Sequence, residues 1–169
     1  MVYSDRLVFR EPTQQDFQRY YEINSDPDTN LYNPQGAMSI ETAKKSFEVI
    51  LAHWESQKFG TWKIMEKLHS DFVIGFGGIT FRYYGSELKL NLGYRFDKNY
   101  WGKGYATEFA LKTIGYAFSI LNQKEIYALV RPDNMASIRV LEKSGMLLVD
   151  TLHDIQGRDD SLVYQTKKM

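Results

Sequence analysis

The sequence predicts a mixed α/β sheet in one domain spanning residues 1–169, with the element order βααβββαβαββ. Three observations carry this. Apolar residues recur at helical spacing through the first third, alternate in β-rich runs through the middle, and return to helical spacing after Gly104. A length of 169 residues suits one compact core. Hydrophobic residues at 43% and charged residues at 25% are ordinary globular usage, which argues against a disordered tail or a coiled coil.

Each element follows from local pattern. RLVFREPT reads as a first strand ending at Pro12, and Thr13 with Asp16 resembles a capping pair opening the helix QQDFQRYYEIN. SDPDTNLYNPQGAM is a loop rich in turn formers. From Ser39, Ala43, Phe47, Ile50, Leu51 and Trp54 form one face of a second helix. TWKIMEK, FVIGFGGITFRYY and LKLNLGYRF are β-rich runs, and consecutive antiparallel strands are the economical reading. Ala106, Phe109, Ala110, Ile114, Ala117, Phe118 and Leu121 line the next helix. EIYALV is a strand, and NMASIRVLEKSG is a short helix begun by Asp133 or Asn134 and stopped at Gly145. MLLVDTLHDI and SLVYQTK close a hairpin around QGRDD.

Composition excludes several functions. Lys plus Arg number 21 and Asp plus Glu number 21, so no overall basic field exists to gather nucleic acid or an anionic membrane. MVYSDRLVFREPT lacks the apolar core of a signal peptide, and no run is long enough to span a bilayer, so a soluble, cytoplasmic chain is expected. The absence of cysteine removes disulfides, thiolate metal sites and a cysteine nucleophile. His53, His69 and His153 are widely spaced without a HExxH pair, and no metal site is expected.

Residues 100–108, YWGKGYATE, place two glycines around a lysine just before a helical pattern. Glycines admit tight bends and close backbone approach, and the free N–H groups of a helix start suit an anion such as a phosphate. A solvated turn would use the same residues. A P-loop requires GxxxxGK[ST], which is absent. A dinucleotide fingerprint requires a buried parallel strand before the glycines, whereas LKLNLGYRF alternates like a half-exposed one.

YWGKGYATEFALKTIGYAF resembles the pyrophosphate-binding segment of the GNAT superfamily of N-acetyltransferases, [QR]xxGx[GA] at a helix start. Gly104 and Ala106 match its small positions, while Trp101 stands where Gln or Arg is usual, as in the ribosomal-protein N-terminal acetyltransferase-like subgroup. LVFREPTQQDFQRYYEIN, LGYRF and PDNMASIRVLEKSGM are similar to that subgroup's first strand and helix, central strand and later segment. The resemblance implies a single GNAT-like acyl-CoA N-acyltransferase domain with splayed central strands and acetyl-CoA as cosubstrate. In that reading the backbone of Gly102, Lys103, Gly104, Tyr105, Ala106 and Thr107 cradles the pyrophosphate, with the Lys103 charge beside it. Tyr94, Arg95 and Phe96 pair with the pantetheine arm, and Gly93 is either a bulge or room for an aromatic neighbour.

The resemblance also implies that Asn134 hydrogen-bonds the pantetheine region, although Asn is equally a preferred helix cap. Superfamily members often carry a tyrosine acid where this chain has Leu141. Ser137, one turn earlier, is the subgroup's serine and the candidate proton donor to the thiolate, or else a capping-turn residue. Asn91 stands where a glutamate base is usual. Glu66, Glu87, Asp97 and His53 are substitutes that could act through water, each also readable as an ordinary solvated residue, and no base is assigned. The acceptor implied is a primary amine, either a protein N-terminal α-amine or a small molecule. A CoA-binding sensor without turnover is the rival, a nucleotide-binding module of another fold is a third reading, and the expected state is monomer or homodimer.

Overall fold

The computed structural model describes residues 1–168. Its strands are β1 (Val2–Tyr3), β2 (Leu7–Arg10), β3 (Thr61–Glu66), β4 (His69–Tyr84), β5 (Glu87–Phe96), β6 (Glu125–Val130), β7 (Leu147–Leu152) and β8 (Ser161–Lys167). Its helices are α1 (Phe17–Ser25), α2 (Ile40–Gln57), α3 (Tyr105–Ser119) and α4 (Met135–Lys143). The strands form one eight-stranded sheet of order β1-β2-β3-β4-β5-β6-β8-β7. The expected mixed α/β order is present, preceded by one extra strand, β1, whose two residues are too few to show a periodicity.

Two compact units divide the chain, residues 1–78 with 94–105 and residues 79–93 with 106–169. In the first, β1 to β4 pair antiparallel, with Val2 opposite Phe9, Phe9 opposite Ile64 and Trp62 opposite Gly77. Asp16 Oδ2 accepts from the Thr13 N–H at 2.7 Å, so the capping pair read from the sequence is formed. The turn Gln14–Asp16 precedes α1, which therefore begins only at Phe17. Ser39 caps α2 by accepting from the Thr42 N–H at 3.2 Å, and Lys58 ends that helix in the left-handed region.

Helical spacing on α1 and α2 turns Tyr20, Ile23, Ala43 and Phe47 onto Val8, Met65, Val73 and Phe76. Tyr20 lies 5.0 Å from Phe47 and 5.2 Å edge-on from Phe76, centroid to centroid, so aromatic packing defines this core.

In the second unit β5 and β6 run parallel, registered at Asn91 opposite Tyr127. β8 lies between β6 and β7, antiparallel to both, and a bulge between Leu148 and Asp150 shifts the closing hairpin. Tyr84, Tyr127 and Val163 form a buried cluster, with Leu129 and Leu152 packed on it. α4 starts at the Asn134 cap and stops before Gly145, whose φ of 79° is left-handed.

Candidate functional site

In the first unit, the end of β5 and the loop after it form one hydrogen-bonded system. Alternation along the strand buries Phe96 and sends the Arg95 side chain the other way. There its Nη1 donates to Asn24 Oδ1 at 3.2 Å and to Asn30 Oδ1. Asp97 accepts from the Asn99 N–H at 2.9 Å, which starts the short turn Lys98–Tyr100. Trp101 then folds back, and its indole Nε1 donates to the Phe96 carbonyl at 3.0 Å. One acceptor position of Phe96, a residue expected to meet the pantetheine arm, is thereby engaged from within the chain.

Gly102 and Gly104 follow with φ of 74° and 78°, the left-handed region that side chains disfavour. Both are exposed. Arg6 braces this loop, because its Nη1 donates to the Lys103 carbonyl at 3.0 Å while its guanidinium lies 4.6 Å from the Tyr105 ring centroid. A Cβ added at Gly104 would stand 3.6 Å from Arg6 Nη2. The Lys103 ammonium sits 4.7 Å over the Tyr100 ring, and the buried Tyr105 donates its hydroxyl to Glu66 Oε1. Tyr105 opens α3, so the loop ends on a helix N-terminus.

In the second unit, Ala106 and Thr107 are half-buried in the first turn of α3. At the start of α4, Asn134 Oδ1 accepts from the Ser137 N–H at 3.1 Å. That cap uses the amide oxygen and not the Nδ2 group, so capping and ligand binding need different atoms. Ser137 is half-buried, and Leu141, one turn on, is 2% exposed and apolar. Asn91 is buried and accepts from the Tyr84 hydroxyl at 2.7 Å. Burial pushes the Tyr84 phenol well above its ordinary range, so this pair supplies no base near neutrality.

The substitute bases have other commitments. Burial pushes the Asp97 carboxyl up, but the Arg19 guanidinium and the Asn99 N–H outweigh that and hold it below the ordinary range. Glu66 accepts from Tyr105, and the exposed Glu87 pairs with Lys89 at 2.9 Å. His53 lies against Phe59, and burial lowers its pKa. Among the described residues, no group of three His, Asp or Glu side chains is arranged to hold a metal, and no helix is long and apolar enough to cross a membrane. Arg6 and the Arg95 side chain were not legible locally, since their contacts span 97 residues and 65 to 71 residues.

Residues 6–147 match the model of the acetyltransferase (GNAT) domain. The chain belongs to the GNAT acetyltransferase family, and its enzymatic class is acyl-CoA-dependent N-acetyl transfer. It is 32% identical over 145 residues to the "uncharacterized N-acetyltransferase YnaD" of Bacillus subtilis (strain 168), covering 86% of this chain and 81% of that protein. The crystal structure of a GNAT-family acetyltransferase from Bacillus anthracis superposes with a TM-score of 0.81 at 25% identity, over 98% of this chain and 97% of that one. A Vibrio cholerae spermidine N-acetyltransferase solved with CoA and spermine has the same fold, with a TM-score of 0.78 at 18% identity over 96% and 95% of the two chains.

Proposed function

We propose that this protein transfers the acetyl group of acetyl-CoA directly to a primary amine. The single observation that carries the reading is the pair of left-handed glycines, Gly102 and Gly104, opening α3 in a chain of this family. Backbone N–H groups from Gly102 to Thr107 form the pyrophosphate cradle, where the helix start supplies unpaired donors and partial positive charge. Arg6, at the edge of Gly104, adds a cation the local pattern did not reveal. The backbone of Tyr94, Arg95 and Phe96 pairs with the pantetheine arm, and Asn134 Nδ2 holds its amide.

The neutral amine attacks the thioester carbonyl, a C–N bond forms, the C–S bond breaks, and the amine's surplus proton passes to water. Ser137 hydrogen-bonds the departing thiolate, or gives it a proton and is reprotonated by the water that took the amine's, because Leu141 has no proton to give. A protein N-terminal α-amine is the leading acceptor, on the resemblance of Trp101 and the PDNMASIRVLEKSGM segment to the ribosomal-protein subgroup. Small-molecule amines are the second class, and CoA binding without turnover is what Asn91 and Leu141 favour.

The test is thiol release from acetyl-CoA with a panel of peptides and small amines, alongside melting with CoA. Saturating CoA, at a hundredfold its Kd, is expected to stabilise the chain by about 2.7 kcal/mol. Stabilisation without thiol release from any acceptor would favour the sensor, and the absence of both stabilisation and thiol release would overturn the reading.

A further inference from the structure

The loop after α1 is organised by buried amides. Asn24 and Asn30 are 5% and 3% exposed. Asn24 Nδ2 donates to the Tyr20 carbonyl at 2.8 Å, and Asn30 Nδ2 donates to the Asn24 and Asp26 carbonyls at 2.8 and 2.9 Å. Asn33 Nδ2 reaches Asn30 Oδ1 at 3.1 Å and the Gly36 carbonyl at 2.8 Å. Their side-chain donors are thus committed to α1 and the loop after it, while the Oδ1 atoms of Asn24 and Asn30 both receive Arg95 Nη1.

Both partners of this guanidinium are neutral. The carboxylates of the surrounding segments answer other cations, since Asp26 and Asp28 pair with Lys98 at 3.0 and 2.7 Å and Asp97 pairs with Arg19. The nearby Tyr20 hydroxyl is shared with Ser46 at 2.7 Å. Withdrawing a cation from water with no counter-anion is costly, and Arg95, half-buried, sits in that condition. Its Nε and Nη2 take no part in the asparagine bonds, and in a guanidinium these two carry the parallel N–H donors that a carboxylate accepts bidentately.

We propose that Arg95 is a specificity-determining residue whose Nε–Nη2 edge binds a carboxylate carried by the acceptor amine. The inference rests on the acetyl-transfer reading and narrows its acceptors to amines bearing an acid group. That group is either the α-carboxylate of a free amino acid or an acidic side chain near a peptide N-terminus.

The arginine Nε–H resonances of the whole chain provide a readout independent of turnover, with Arg95 assigned by the signal lost in Arg95→Lys. Glycine and glutamate are expected to shift that signal saturably, and glycinamide and sodium chloride at matched ionic strength are not. In thiol-release assays, the preference for each acid over its amide is expected to fall about tenfold or more in Arg95→Gln. Free amino acids against peptides with an acidic or amidated second residue distinguish the two sources. An Arg95 signal indifferent to every carboxylate, or equally moved by chloride, overturns the proposal even if acetyl transfer is present. A saturable shift in a chain that transfers no acetyl group instead faults the enzymatic reading and leaves the carboxylate site standing.

Discussion

Trp101 Nε1 donates to the carbonyl of Phe96 at 3.0 Å, which ties the entrance of the glycine loop to the last residue of β5. A bond of this kind is worth about 0.5–1.5 kcal/mol net. Trp101→Phe keeps a ring but removes the donor. CoA affinity by calorimetry is expected to fall roughly two- to tenfold through a looser cradle, and unchanged affinity would show that the tie does not order the loop.

Gly104→Val places a branched side chain at a φ of 78°. The backbone cost is about 1–2 kcal/mol of stability, and the side chain also blocks close approach of a phosphate. CoA binding is expected to drop by more than the stability loss alone conveys when measured on the folded variant. Wild-type affinity would remove the cradle assignment.

Asn134→Ala should cost about 1 kcal/mol by leaving the Ser137 N–H without its cap. Asn134→Asp retains an accepting oxygen but exchanges the Nδ2 donor for a charge, so stability is expected to hold while the acetyl-CoA KM rises. If Asn134→Asp leaves KM alone, the residue is a cap and nothing more.

Ser137→Ala is expected to lower kcat by roughly tenfold to a thousandfold with little change in acetyl-CoA binding, the pattern of an interaction made in the transition state. Full turnover, with chemistry shown to limit the rate, would transfer that role to water.

The Arg19–Asp97 pair sets an acid dependence. The folded-state pKa of Asp97 is depressed, so the stability it contributes is present above the unfolded value, near 3.8, and is lost as pH falls from there through the folded value. Asp97→Asn should cost about 1–2 kcal/mol at neutral pH, because Arg19 is only 19% exposed and would keep just the more exposed Glu22, at 3.2 Å, as its counter-charge. It should also flatten the loss of stability below about pH 4 in denaturant titrations.

Local chemistry accounts for how much could be read in advance. Ser39 and Asn134 advertise helix starts, and the paired glycines before α3 are visible because such backbone angles demand a residue type. The placement of β8 between β6 and β7 depends on which edges meet, which no local pattern encodes. Arg6 reads as an unremarkable charge ahead of a strand until folding carries it to Lys103, and Arg95 reads as one of three strand positions beside the pantetheine arm, with no partner for its side chain, until the loop amides close around it. Tertiary partners, more than residue types, separate these side chains from solvated ones.

The bond from Arg6 to Lys103 joins positions 97 apart in sequence. A long-range staple of this kind works in both directions, because whatever immobilises the loop also immobilises the strand edge that holds it. Amide hydrogen exchange around Leu7 and Val8 should therefore slow when a nucleotide phosphate occupies the loop. Strand β2 then serves as a reporter of occupancy.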